Sequence, residues 1–166
     1  MEVDIVEYSD EYKEQVKGLI FEVYETERGR YVRGREGRPD LNAIRETYQA
    51  NDGNFWVAVE KGKVIGTIGL MNQGKEWASM HRFCVAKIFR GKGVSTKLFS
   101  AFLEFATSHG YKKIVLGTMP DATAAIKFYE RNGFKKVDSL PEDIAKGASL
   151  SHNELLYKLD VKEGAG

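Results

Sequence analysis

The chain has 166 residues, a formal net charge of +1 and one cysteine, Cys84. That length suits a single domain spanning 1–166 with a real core. The near-neutral charge offers no field to gather nucleic acid or anionic lipid, no apolar run approaches the roughly 18 residues of a membrane span, and a lone thiol builds no disulfide framework.

The start, MEVDIVEYSD, is acidic and lacks a signal-peptide core, which together with the cysteine usage points to the cytoplasm. Glu2 to Glu7 alternates around Val3, Ile5 and Val6 and predicts a short strand. Ser9 or Asp10 is placed to cap a helix with Val16, Leu19, Ile20, Val23 and Tyr24 on one face. The stretch ERGRYVRGREGRPD, from Glu27 to Asp40, reads as an Arg/Gly loop. Its end, Asp40, is placed to cap a second, short helix carrying Leu41, Ile44 and Tyr48.

Strands follow at Phe55 to Glu60, Val64 to Met71 and Trp77 to Ala86, joined by tight turns at Lys61-Gly62 and near Gln73-Gly74. Val94, Leu98, Ala101, Phe102 and Phe105 repeat at helical spacing until Gly110. Lys113 to Gly117 reads as a buried strand. Asp121 is placed to cap a helix striped by Ala122, Ala125, Ile126 and Tyr129, which ends at Asn132-Gly133. Phe134 to Asp138 and Glu154 to Leu159 read as strands, with a polar loop from Leu140 to Ser151 between them. Hairpins mixed with crossovers predict an α/β fold, one mixed twisted sheet with helices on both faces.

One segment asks for a ligand. In FRGKGVSTKLFSAF, Phe89 to Phe102, two glycines and two cations lead straight into an apolar helix. The first N–H groups of a helix lack internal partners and lie at the positive end of its dipole, so such a start binds phosphate. The P-loop pattern fails, because Gly91-Lys92 is followed by Gly93 and the position five before Gly91 is Ala86. The dinucleotide fingerprint fails at its third glycine, where Thr96 stands. Taken alone, GKG is equally readable as a flexible helix start with no ligand.

The surrounding run HRFCVAKIFRGKGVSTKL resembles motif A of the GNAT-type N-acetyltransferases, R/Q-x-x-G-x-G/A, with the small Ser95 at its last position. The run ATAAIKFYERNGF, Ala122 to Phe134, resembles motif B, with Ala122 where the family often carries Asn. The resemblance covers about residues 54–139. It implies a three-layer α-β-α sandwich around a mostly antiparallel mixed sheet, acetyl-coenzyme A as co-substrate and no metal. By the same resemblance, the main chain of Phe83, Cys84 and Val85 pairs with the pantetheine arm. Arg90, Gly91, Lys92, Gly93, Val94, Ser95 and Thr96 hold the pyrophosphate.

Acetyl transfer to an amine needs a base for the nitrogen, an acid for the leaving thiolate and a donor for the oxyanion. The resemblance implies the N–H of Val85 as that donor and Tyr129 as the acid; read from its stripe alone, Tyr129 is a core aromatic, and the two readings are compatible. The glutamate that many relatives carry on the third strand is Ser79 here. His81, two residues on, is the candidate base; its alternative is a structural strand histidine. Cys84 reads as a buried thiol facing opposite to His81. His109 reads as a helix-end residue, and His152 and Glu76 as surface positions. By the same resemblance, the arginines at 28, 30, 33, 35 and 38 lie where the family's first two helices border the acceptor and suit one bearing carboxylate or phosphate; the alternative is a solvated mobile loop.

The expected activity is direct attack of a small-molecule or peptide amine on acetyl-coenzyme A in a ternary complex. Partnership with nucleic acid or membrane is not expected, and a homodimer is a family-level expectation. The alternative is a non-catalytic acyl-coenzyme A-binding module, for which the serine at 79 speaks.

Overall fold

Alternation along one strand sets the layers. In Asn54–Glu60 (β2), Phe55 and Val57 belong to a buried cluster with Val16, Leu19 and Ile20, while the Trp56 ring meets Phe102 from another helix at 6.2 Å. A period of two sends neighbouring side chains to opposite faces, so a strand carrying apolar residues throughout is covered on both. The computed structural model describes residues 2–27 and 39–162.

The elements are β1 (Asp4–Glu7), α1 (Lys13–Glu22), α2 (Ile44–Thr47), β2, β3 (Lys63–Gly74), β4 (Trp77–Val85), α3 (Val94–Ser108), β5 (Lys113–Thr118), α4 (Thr123–Arg131), β6 (Lys135–Val137), α5 (Glu142–Gly147) and β7 (Leu155–Asp160). They form one seven-stranded sheet in the order β1-β2-β3-β4-β5-β7-β6. β1 pairs β2, β2 pairs β3, and β7 pairs both β5 and β6, all antiparallel. β4 and β5 are parallel, joined through Trp77–Lys113, Ala78–Ile114 and Ser79–Val115. The mixed sheet and its α/β class are as expected from the order of elements, and the mostly antiparallel pairing is as the family resemblance implies. No helix among the described residues is long and apolar enough to cross a membrane.

Contacts divide the chain into two units, residues 1–71 with 81–104, and 72–80 with 105–166. In the first, α1 and α2 cover one face of β2 and α3 covers the other. Asn54, buried at the start of β2, ties this unit together. Its Nδ2 donates to Glu7 at 2.8 Å, and its Oδ1 accepts from Gln49 at 3.0 Å and from the Phe55 N–H at 2.8 Å. In the second, Tyr129 on α4 packs edge-on to Phe134 at 5.7 Å and lies 6.3 Å from Tyr157 of β7.

Several local expectations change. Ser9 makes no side-chain cap; a 3-10 turn at Asp10–Tyr12 starts α1 instead. The helix after Asp40 is a 3-10 turn, Pro39–Asn42, followed by one α turn. The second hairpin turns at Lys75 and Glu76, with φ of 53° and 71°, rather than at Gln73-Gly74, because β3 runs on to Gly74. Ala122, not Asp121, occupies the cap position of α4. The stretch expected as a loop from Leu140 to Ser151 contains α5, with Pro141 at its start and Glu142 and Asp143 in its first turn.

Candidate functional site

The segment that raised the ligand question sits where β4 hands over to α3. Lys87–Phe89 form a 3-10 turn after β4. Gly91 and Gly93 then take φ of +75° and +84°, and a Cβ at either would meet nothing within 4 Å. Backbone conformation rather than crowding therefore calls for glycine at both positions, since other L-residues adopt left-handed φ at a cost. The first helical bond runs from the Lys97 N–H to the Gly93 carbonyl at 3.1 Å. By helix geometry, the N–H groups of Val94, Ser95 and Thr96 precede that ladder and gain no partner from it. Val94 is buried as an anchor, and Thr96 is exposed.

The two cations differ. The Nε of Arg90 donates to the Val85 carbonyl at 3.0 Å, so its side chain braces the loop against the end of β4. Lys92 is exposed, with its ammonium 5.8 Å from the centre of the Phe89 ring.

Upstream, β4 is not a plain strand. Arg82 has φ +53°. A bulky residue in the left-handed region is uncommon and needs support from its surroundings. Its guanidinium binds Asp40 through both oxygens, Nε to Oδ2 at 2.9 Å and Nη2 to Oδ1 at 2.7 Å. Tyr48 donates to the same Asp40 Oδ2 at 2.9 Å, the Tyr24 ring centre lies 5.7 Å from the guanidinium carbon, and the Thr67 hydroxyl donates to the Arg82 carbonyl at 2.6 Å. Burial raises the Asp40 pKa, but the hydrogen bonds and charge of Arg82, with Tyr48, outweigh it and hold the carboxyl below its ordinary value. Burial likewise works against the Arg82 charge, and Asp40 and Tyr24 overcome it.

The kink also resets which way side chains point. A left-handed residue interrupts strict alternation, as a bulge does. Cys84 joins the buried cluster that contains Tyr48, and the Tyr48 ring lies 6.1 Å from that of His81. The expectation that Cys84 faces opposite to His81 is therefore corrected. The buried-thiol reading of Cys84 stands, at 3% exposure.

His81 is set off from an ordinary histidine. Burial first, and the neighbouring Arg82 charge after it, push its pKa down to about 4, with Asp40 opposing both. The imidazole is thus neutral throughout the physiological range. Between pH 6.5 and 4 the unfolded chain takes up this proton and the folded chain does not, so stability is lost as the pH is lowered across that window, by roughly 3 kcal/mol over its whole width. Urea midpoints at pH 7 and pH 4.5 are expected to differ less in His81→Gln than in the wild type. An equal difference in the two proteins would mean that the folded imidazole titrates normally.

In the second unit, Tyr129 is buried on α4, and its carbonyl accepts from the N–H groups of Asn132 and Phe134. Ser79 is fully buried and its Oγ accepts from Gln73 at 2.9 Å, so the position of the family glutamate carries a packed hydroxyl. His109 stacks on Phe105 at 3.7 Å and bonds its carbonyl, consistent with the helix-end reading. His152 is exposed, and Glu76 pairs with Lys112 at 3.7 Å. The arginines at 28–38 lie outside the described residues. Sequence reading missed the Asp40–Arg82 pair; the two are 42 positions apart, and only the fold brings them together.

Comparison with known proteins bears on this arrangement. A family model described as the acetyltransferase (GNAT) family matches residues 20–134. An N-acetylaspartate synthetase of Xenopus tropicalis is 38% identical over 122 residues, covering 72% of this chain and 45% of that protein. The chain thus spans about half the length of the curated relatives it matches. A GNAT-family acetyltransferase from Staphylococcus aureus superposes with a TM-score of 0.89 at 25% identity, over 97% of this chain and 100% of that one. The PaiA N-acetyltransferase of Thermoplasma acidophilum, solved with coenzyme A, shares the fold at a TM-score of 0.74 and 18% identity, over 96% and 99% of the two chains. The family match runs through the kinked strand, the glycine turn and α4 alike, and on it the chain belongs to the GNAT acetyltransferase family.

Proposed function

We propose that the protein moves the acetyl group of acetyl-coenzyme A to a primary amine by direct attack in a ternary complex. The observation that carries this reading is the start of α3, where two left-handed glycines lead into amides that precede the helical ladder. A diphosphate suits such amides, and the exposed Lys92 adds a charge beside them. In the proposal, Arg90 to Thr96 hold the pyrophosphate and the main chain of Phe83 to Val85 pairs with the pantetheine arm. The Val85 N–H meets the charge that develops on the thioester oxygen.

The roles of His81 and Tyr129 follow from their chemistry and from the family resemblance. An amine of pKa near 10.4 is almost wholly protonated at pH 7, and a base of pKa about 4 cannot strip it in advance. His81 suits a later moment. The small neutral fraction of the amine, about one part in a few thousand at pH 7, is what attacks; once the C–N bond has formed, the nitrogen is far more acidic, and a neutral imidazole can take its proton directly or through water. Tyr129 then gives a proton to the sulfur as the C–S bond breaks. The relatives' name makes an α-amino acid with an acidic side chain the first acceptor to test.

A second reading, a binding module without turnover, is favoured by the packed serine at 79 and by the weak basicity of His81. Thiol release from acetyl-coenzyme A, measured across amines beginning with aspartate, decides between them. Release with at least one amine supports the transferase. Tight coenzyme A binding with no release on any amine supports the module, and neither binding nor release sinks both.

A further inference from the structure

We infer that Asp40 and Thr67 are positioning residues for the carrier, acting through Arg82 to hold the left-handed kink in β4 that aims the main chain of Phe83 to Val85. The inference rests on the acetyltransferase reading above. Three independent contacts converge on one residue in a disfavoured conformation. Asp40 fixes the side chain with two hydrogen bonds, at 2.7 and 2.9 Å, Thr67 fixes the carbonyl at 2.6 Å, and the Tyr24 ring covers the guanidinium at 5.7 Å.

Strain of this kind persists only where the surroundings over-determine it. Here they do, and the next three residues are those proposed to pair with the carrier arm. Tyr48 also donates to Asp40, at 2.9 Å, to the oxygen that accepts from the Arg82 Nε. The fork of Arg82 is already engaged by Asp40 through Nε and Nη2, so the pair is arranged to hold itself rather than to receive a substrate carboxylate. Tyr24 reaches Arg82 from the wider π-helical turn, Val23–Glu27, that follows α1.

The kink needs the clamp only because its residue has a Cβ. Glycine adopts the same conformation without strain. Removing Asp40 should therefore impair the carrier site while Arg82 is present, and should matter little once Arg82 is glycine.

The test uses the full chain, calorimetric titration with coenzyme A, and steady-state KM for acetyl-coenzyme A and for the acceptor. Asp40→Asn and Thr67→Val are each expected to raise the coenzyme A Kd and the acetyl-coenzyme A KM about tenfold. Asp40→Asn made on top of Arg82→Gly, the double variant D40N/R82G, is expected to stay within about threefold of Arg82→Gly, whatever Arg82→Gly itself costs. The double variant also removes the buried cation that Asp40→Asn leaves uncompensated, so a folding failure of the single variant does not stop the test.

Coenzyme A affinity unchanged in Asp40→Asn with a raised acceptor KM would overturn the inference and place the pair at the acceptor. A double variant weaker than Arg82→Gly by the same factor that Asp40→Asn loses against the wild type would also overturn it, because Asp40 would not be acting through the kink. A wild type with no affinity for coenzyme A would sink the acetyltransferase reading itself. A wild type that binds, with all variants equal to it, sinks this inference alone.

Discussion

Gly93→Val is expected to raise the KM for acetyl-coenzyme A about a hundredfold while moving the melting temperature by only a few degrees. The glycine has φ +84°, and a Cβ there would meet nothing within 4 Å, so the substitution meets no steric wall. What it meets is the torsion. A left-handed L-residue costs about 1–2 kcal/mol, and a β-branched one more. The free protein escapes that cost by letting the exposed turn relax away from φ +84°. Apparent affinity then falls by the fraction of molecules still holding the amides of 94–96 in place, and a hundredfold loss corresponds to about 2.7 kcal/mol. The acceptor KM should be unaffected if, as proposed, this turn meets the carrier's diphosphate alone. Gly93→Ala should show the same pattern at roughly tenfold. An unchanged acetyl-coenzyme A KM in Gly93→Val would mean that the turn is not where the carrier binds.

Much of this site was legible because its signals are local. The glycines, the helix they open and the stripe through Val94, Leu98 and Phe102 lie within one short stretch, and periodicity reads such stretches well. The hairpin at Lys61-Gly62 was legible for the same reason, and both residues have positive φ, 51° and 77°. Asp40 shows the opposite case. After a proline it looks like a helix cap, and local chemistry offers nothing better. Its strongest partner, Arg82, lies on a distant strand, and an ion pair of that kind leaves no trace in spacing.

Arg82 misled in a second way. Strand alternation assumes extended φ at every residue, and one left-handed residue breaks the parity, so alternation alone puts Cys84 on the wrong side. The helix at Glu142–Gly147 was different, since its signal was present. Pro141 followed by two acidic residues is a recognised helix start, overlooked because the apolar stripe behind it is short.

Tyr129→Phe is expected to lower kcat by roughly a hundredfold, the lower end of what general-acid catalysis supplies, with both KM values within about twofold of the wild type. The change deletes one hydroxyl and keeps the ring. The ring's packing against Phe134 at 5.7 Å and its place near Tyr157 are then retained, and so are the two main-chain bonds that its carbonyl accepts from Asn132 and Phe134. A purely structural tyrosine would therefore lose little in either rate or stability. An acid would lose rate alone, because its proton is needed only when sulfur departs and not when either substrate binds.

The leaving group sharpens the contrast. An acyl donor whose departing thiol is more acidic needs less help, so the deficit of Tyr129→Phe should shrink as the thiol pKa falls. A deficit that stays constant across donors, or a kcat within twofold of the wild type, would remove Tyr129 from the acid role and leave it as the core aromatic of α4.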